Sequence, residues 1–166
     1  MNISTTTIRL ILLAFLALPI LSACKEEAKP EAVVAAPLTA PATGDDTAWG
    51  AYLSDVVTRN MDGVNSNPYL YYLPAEDSED FEGSQARLQT EVNLAMQRGI
   101  VEGNLVAFGS PASAKMADIV VAAFAAVDPG SMKGVKLLFI GDAADNDRVQ
   151  AAVTPAGVDY KFIAAK

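Results

Sequence analysis

The chain has 166 residues, a formal net charge of −8 and no histidine. So acidic a chain is a poor candidate for nucleic-acid binding, because the phosphate backbone would repel it. The lack of histidine removes the usual general base and the commonest transition-metal ligand, which weakens any prediction of an enzyme or a metal site.

The N-terminal residues have the layout of a secretory signal peptide. Residues 1–9 are polar with one basic side chain, Arg9, and residues 10–23 form an apolar run that ends in small residues. The run is shorter than the roughly 20 apolar residues that a membrane-spanning helix needs. We therefore expect residues 1–23 to be removed on export.

The apolar run ends in Leu21-Ser22-Ala23-Cys24, which contains the only cysteine of the chain. This stretch resembles the lipobox of bacterial lipoproteins, and the resemblance covers residues 1–24 alone. It implies cleavage before Cys24, a diacylglycerol thioether on its sulfur and an acyl group such as palmitate on its new amine. Lys25 in the position after the cysteine implies retention in the outer membrane, facing the periplasm, rather than in the inner membrane. The alternative is a secreted protein with a free cysteine near its new N-terminus.

Residues 24–47 are predicted to be a tether between the lipidated cysteine and the domain. Residues 25–47 are rich in alanine, proline and threonine, and prolines at positions 30, 37 and 41 interrupt any apolar period. Such a composition is typical of a partly extended linker. We expect the domain, residues 48–166, to fold without it.

Apolar patterning begins at Ala48, and predicted helices and strands alternate from there to the C-terminus. The patterns predict, in order, a helix from Trp49 to Met61, a strand at 69–73, a helix at 81–96, a strand at 104–108, a helix at 113–127, a strand at 135–140, a helix at 144–153 and a strand at 158–164. Alternating strands and helices favour a mainly parallel sheet with helices on both faces. The predicted fold class is a small three-layer α/β/α domain with about four mostly parallel strands. The last strand is the candidate for an edge or an antiparallel exception.

Two loops that follow predicted strands carry similar polar residues. Ser110 and Ser113 follow one strand, and Asp142 and Asp145 follow the next one. If these strands are parallel, both loops lie at the sheet edge where open α/β folds bind ligands. We name these four residues the strand-exit edge and treat it as a candidate binding site, with Glu76 and Asp77 near it. The alternative is that these residues only cap helices and close turns.

Motifs that carry specific chemistry are missing from the chain. The sequence has neither the G-x-G-x-x-G pattern nor a lysine-bearing phosphate loop, so we expect no nucleotide and no other cofactor. The acidic runs at 76–82 and 145–147 lack the glycine and glutamate that a calcium loop requires, so we expect no metal. Ser110 is followed by Pro111 and has no histidine to activate it. A pair of catalytic carboxylates stays open, because sequence does not give their separation.

Three tyrosines cluster in the first predicted strand. Tyr69 and Tyr71 share one face of that strand, and Tyr72 points to the other. They either pack in the core or lie at a protein contact, where tyrosine is enriched.

Two functional hypotheses remain. The first is a non-enzymatic lipoprotein, held at the membrane by its lipid, whose acidic domain binds or inhibits another envelope or incoming protein; an immunity-type protein is one form of it. The alternative is a small-molecule-binding domain or an atypical hydrolase that uses the strand-exit edge around Ser110 and Asp142. The lack of histidine, of a second cysteine and of a cofactor motif favours the first.

Overall fold

The structure is a computed structural model that describes residues 36–166. The predicted signal peptide, Cys24 and residues 25–35 of the predicted tether lie outside the described residues. Helices and strands alternate as predicted, with bounds α1 Asp46–Arg59, β1 Tyr69–Tyr72, α2 Phe81–Arg98, β2 Leu105–Gly109, α3 Ser113–Phe124, β3 Lys136–Gly141, α4 Ala143–Val153 and β4 Asp159–Ala164. None of the described helices is long and apolar enough to cross a membrane.

The four strands form one parallel sheet in the order β1-β2-β3-β4. Because each connection moves one strand in the same direction, crossovers of the usual right-handed kind place all connecting helices on the same face. Helices α2, α3 and α4 pack there, and α1 packs on the opposite face. The three-layer α/β/α prediction is therefore confirmed. β4 is an edge strand, as expected, but it is parallel to β3 rather than antiparallel.

The sheet places its alternate residues in two separate apolar cores. Tyr71, Phe108, Phe139 and Phe162 align across the strands on the face of α2, α3 and α4. Tyr71 stacks on Phe108 with ring centroids 5.2 Å apart, and Phe139 stacks on Phe162 at 6.3 Å. A row of aromatic rings of this kind ties neighbouring strands together and fixes their register.

The opposite core is built by α1. Five residues of α1 recur at helical spacing and are buried on one face of the helix, against the sheet. They are Trp49, Tyr52, Leu53, Val56 and Val57. The helix begins after Asp45, whose side chain accepts the Ala48 N–H at 2.7 Å, as is usual for an N-cap. The predicted start of the domain, Ala48, thus lies inside this helix.

Part of the predicted tether packs on the domain. The Leu38 N–H donates to Asp55 Oδ2 at 3.1 Å, and the Ala40 N–H donates to the Lys166 carbonyl at 3.1 Å. Trp49 Nε1 donates to the Thr43 carbonyl at 2.9 Å. We call residues 38–44 the N-terminal strap. Because its bonds join the strap to α1 and to the C-terminal residue, these residues are held on the domain that follows them.

Candidate functional site

The loops after β2 and β3 are neighbours at one end of the sheet, as predicted from parallel strands. Ser113 Oγ accepts the Asp142 N–H at 2.8 Å and donates to Asp145 Oδ2 at 2.6 Å. Ser113 and Asp145 are 32 residues apart in the chain. The strand-exit edge therefore exists as a structural unit, in which the hydroxyl of α3 fixes the start of α4.

The carboxylate of Asp145 is fully engaged by neighbours. Its Oδ1 atom accepts from Arg148 Nε at 3.0 Å and Nη2 at 2.8 Å, while Oδ2 accepts from Ser113. Arg148 also binds Asp118 Oδ1 at 2.5 Å and the Ala114 carbonyl at 2.6 Å. The bond to Asp118 and then that to Asp145 raise the pKa of Arg148. Because both of its oxygens already accept hydrogen bonds, this carboxylate holds the first turns of α3 and α4 together.

Sequence reasoning missed Arg148. The signal was present, because an aspartate and an arginine three residues apart lie on the same helix face. What the sequence did not indicate is that the pair faces α3 rather than solvent, where Asp118 and Ala114 complete the set of partners.

Ser110 stabilises the turn between β2 and α3 through its hydroxyl. It is 1% exposed, donates to the Leu73 carbonyl at 2.7 Å and accepts the Ala112 N–H at 2.8 Å. Its only hydroxyl proton is thus committed to a backbone carbonyl of the chain after β1. A serine bonded in this way stabilises two loops and is not poised for attack on a substrate.

Asp142 differs from the capping role that the sequence suggested. It occupies the N-cap position of α4, but its exposed side chain makes no capping hydrogen bond. The first turn of α4 is closed instead by the Asp145 N–H, which donates to the Asp142 carbonyl at 3.1 Å. Ser113 likewise caps no helix, since the N-cap of α3 is Ala112. The Ser113 hydroxyl is used between the two helices instead, where it accepts the Asp142 N–H and donates to Asp145 Oδ2.

The glycines that end β2 and β3 are required by close packing. A Cβ atom on Gly109 would lie 2.3 Å from Leu53 Cδ2 of the buried α1 face, and one on Gly141 would lie 2.5 Å from Ser113 Oγ. Both approaches are too short for any side chain larger than hydrogen. The two glycines in these similar loops therefore meet two different packing constraints.

A small cleft lies at the strand-exit edge. It has a volume of about 250 Å³ and is lined by the N-terminal strap, Trp49, Ser110, Ser113 and Asp142. This volume is below the roughly 300–1,000 Å³ of typical small-molecule sites. Glu76 and Asp77 are exposed in the loop after β1. Within residues 36–166, no group of three or more acidic, histidine or cysteine side chains is placed to hold a metal ion.

A larger groove lies on the other side of the domain, along the outer edge of β1. Its volume is about 640 Å³, and α2 forms its opposite wall. The residues that line it are Tyr69, Tyr71, Ala86, Arg87, Thr90, Glu91, Leu94, Ala95 and Arg98. We call Tyr69, Glu91, Leu94 and Arg98 of this groove, together with the exposed Leu70 at the adjoining edge of β1, the β1–α2 surface.

The three tyrosines of β1 differ in their surroundings. Tyr71 is buried in the core, and burial raises its pKa. Tyr72 points to the opposite face, where its hydroxyl donates to Asp46 Oδ1 at 2.7 Å. Tyr69 is 43% exposed at the mouth of the groove. The expectation that Tyr69 and Tyr71 share one face and Tyr72 the other is confirmed.

No protein-family model, no curated protein and no solved structure matches this chain.

Proposed function

We propose that the chain is a membrane-anchored lipoprotein facing the periplasm, whose acidic α/β domain binds another protein through the β1–α2 surface. The anchor is the lipidated Cys24 that the lipobox resemblance implies, and outer-membrane retention follows from Lys25. The partner is a protein of the envelope or one that enters it. The proposal assigns no catalytic step, no cofactor and no nucleic acid to the domain.

The β1–α2 surface is the observation that carries this proposal. It combines a wide groove, an edge strand and the exposed side chains of Tyr69 and Leu94. Exposed tyrosine and arginine beside apolar residues are typical of the centres of protein interfaces. An open strand edge offers backbone hydrogen bonds to an extended segment of a partner.

The alternative, a ligand site or hydrolase at the strand-exit edge, has less support. Ser110, Ser113 and Asp145 are buried, and each is hydrogen-bonded within the domain. A binding site needs polar groups that converge on open space and are free to bond the ligand. Only Asp142 keeps an exposed side chain in this set.

The anchor is tested by the substitution Cys24→Ala, with Ser22→Ala as a matched control that keeps a small residue before the cysteine. We expect labelled palmitate to enter the wild type and the control but not Cys24→Ala, which should accumulate as precursor. Label in Cys24→Ala, or none in the wild type, would show that the chain is not a lipoprotein.

Protein binding is tested with the full chain, extracted from membranes in mild detergent after cross-linking in cells. A partner captured by the wild type should be lost in Leu94→Asp, which places a charge at the centre of the surface. It should be retained in Lys133→Glu, a charge reversal at an exposed turn distant in sequence from α2 and β1. Capture that is equal in both variants would exclude the β1–α2 surface as the binding site.

A further inference from the structure

The outer edge of β1 offers unpaired backbone groups. The Leu73 N–H points toward β2, where it donates to the Gly109 carbonyl at 3.5 Å. Because N–H groups along a strand alternate between its two edges, those of Leu70 and Tyr72 point away from β2. β1 is terminal in the strand order, and no described residue outside the sheet bonds to this edge. Such an edge is a template for a further strand.

Large apolar side chains are exposed around the same edge. Tyr69, Leu70 and Leu94 are 43%, 37% and 45% exposed. Tyr69 and Leu94 face each other across the groove, whereas Leu70 points to the opposite face of the sheet, in register with Ala107 and Leu138. An apolar surface of this kind beside an open strand edge marks an interaction site or an aggregation hazard.

The charges on α2 suit a second copy of the same surface. Glu91 and Arg98 both line the groove and are about two helical turns apart, with Leu94 and Ala95 midway between them. Within the described residues, Arg98 has no ion-pair partner. If two such helices lie antiparallel about a two-fold axis at Leu94 and Ala95, Glu91 of each meets Arg98 of the other. A foreign acidic segment would instead meet the like charge of Glu91 in the groove.

We propose that, when no other partner is bound, the β1–α2 surface pairs with the same surface of a second copy of this chain. The proposal rests on the use of that surface in the proposed function, and it names a further occupant. A two-fold axis perpendicular to the sheet makes the two β1 strands antiparallel neighbours and places both α2 helices on the same face. Such an interface is self-complementary, as in most homodimers.

The strand pairing has a defined centre. With Leu70 on the two-fold axis, its outward N–H and C=O exchange both hydrogen bonds with Leu70 of the second copy. The outward N–H of Tyr72 then reaches the carbonyl of Pro68 in the second copy. Pro68 has no N–H, so the pairing ends there. Leu94 and Ala95 of the two helices meet above the paired strands.

Anchoring strengthens such an interface without any new contact. Two lipidated chains move in one plane, which raises the effective concentration of each surface for the other far above its value in solution. A partner with a better fit can displace the second copy.

A cysteine at the centre of the pairing tests the geometry directly. Leu70→Cys is made in the full chain in detergent micelles, treated with an added oxidant and analysed on a non-reducing gel. Residues that form a hydrogen-bonded pair have Cα atoms about 5.5 Å apart, within the range that a disulfide can bridge. The matched control is Val101→Cys, another exposed apolar position, which is 70% exposed and outside the surface. The wild type, whose only cysteine is Cys24, reports any linkage through that residue.

We expect Leu70→Cys to form a covalent dimer rapidly, and both Val101→Cys and the wild type to run without a covalent dimer on the non-reducing gel. Sedimentation equilibrium of the wild type should give a reversible dimer. If Leu70→Cys links no faster than Val101→Cys, or the wild type stays monomeric at all concentrations tested, the second copy is not the occupant.

Charge reversal separates self-pairing from binding to another protein. In the Leu70→Cys background, Glu91→Arg or Arg98→Glu alone places like charges together and should lower dimer formation by roughly threefold to tenfold. The double reversal restores opposite charges across the axis and should recover the dimer. A foreign partner has no compensating charges, so its capture should not recover in the double variant. A dimer that the double reversal fails to recover would overturn the arrangement, while loss of a captured partner in Leu94→Asp would still support the proposed function.

Discussion

Ser113 Oγ and Asp145 Oδ2 lie 2.6 Å apart, across the gap between the first turns of α3 and α4. The same hydroxyl accepts the Asp142 N–H, and the same carboxylate accepts two bonds from Arg148. Because every polar group in this chain of bonds has a partner, the residues join two βα units at the sheet edge. The polar groups of these residues therefore stabilise the domain.

Asp145→Ala should therefore destabilise the domain, whereas Asp142→Ala should not. Removing Asp145, which is 8% exposed, leaves the Ser113 hydroxyl and two Arg148 donors without their acceptor. Loss of a buried acceptor costs about 1–3 kcal/mol of the free energy of unfolding. Asp142 is exposed and makes no capping bond, so its removal should change that free energy by less than about 0.5 kcal/mol. Urea unfolding of both variants measures the difference.

The two substitutions are three residues apart at the start of one helix, so each controls for the other. Equal losses would mean that helix capping by both aspartates, and not the bond to Ser113, stabilises this edge. A near-normal stability for Asp145→Ala together with loss of partner capture would assign the residue to binding.

Gly141→Ala and Gly50→Ala should have opposite effects. A Cβ at Gly141 would approach Ser113 Oγ to 2.5 Å and disturb the bonds to Asp142 and Asp145. Overpacking of this kind costs about 1–3 kcal/mol. Gly50 lies within α1, and a Cβ there meets no atom within 4 Å, so alanine should stabilise the helix by about 0.5–1 kcal/mol. Thermal unfolding shows whether each substitution raises or lowers the stability of the domain. Destabilisation by Gly50→Ala would contradict the open space around residue 50 in the packing of α1.

The alternation of strands and helices could be predicted because the apolar residues follow their periods closely. The residues from Leu137 to Ile140 are continuously apolar, as expected for a buried parallel strand, and Trp49, Leu53 and Val56 mark one face of α1. The neighbouring loops at Ser113 and Asp145 followed from the parallel strands alone. The roles of Ser113 and Asp145 could not be predicted in this way, because the sequence does not show which group a hydroxyl bonds to.

The N-terminal strap and the β1–α2 surface were missed for physical reasons. The strap is held by backbone groups of Leu38, Ala40 and Thr43, and such bonds leave no trace in side-chain patterning. In the sequence, Arg98 and Leu94 have the positions of ordinary residues on a solvent-exposed helix face. Only the position of α2 beside an edge strand brings them to a groove with Tyr69.

The stability of the domain should fall between pH about 10 and about 12. Burial, and then the charge of Asp147, raises the pKa of Tyr160 to about 12 from its ordinary value of 10.0. Above pH 10 the unfolded chain loses this proton while the native chain keeps it, so the free energy of unfolding is constant below pH 10 and decreases until the native pKa is passed. Tyr160→Phe cannot ionise and should show a shallower decrease.

The control for that experiment is Asn146→Ala. The Tyr160 hydroxyl donates to Asn146 Oδ1 at 3.0 Å, so this variant loses the hydrogen bond but keeps the titrating phenol. It should be less stable than the wild type at neutral pH and retain the full decrease at high pH. An identical pH dependence in Tyr160→Phe and the wild type would mean that the other buried tyrosines account for the effect.

Removal of the N-terminal strap should destabilise the domain, contrary to the expectation that it folds equally well without residues 25–47. A chain that starts at Gly44 keeps the N-cap Asp45 but loses the acceptor of the buried Trp49 indole and the bonds of Leu38 and Ala40. Each lost bond to the domain contributes about 0.5–1.5 kcal/mol, and an indole N–H left without an acceptor costs about 1–3 kcal/mol.

Urea unfolding of this chain is compared with that of a chain that starts at Ala36, which retains every strap contact. Hydrogen exchange in the full chain gives an independent measure, because the N–H groups of Leu38 and Ala40 should exchange more slowly than that of Ala42. Equal stability of the two shortened chains, with equally fast exchange at all three positions, would show that the strap is part of the tether after all.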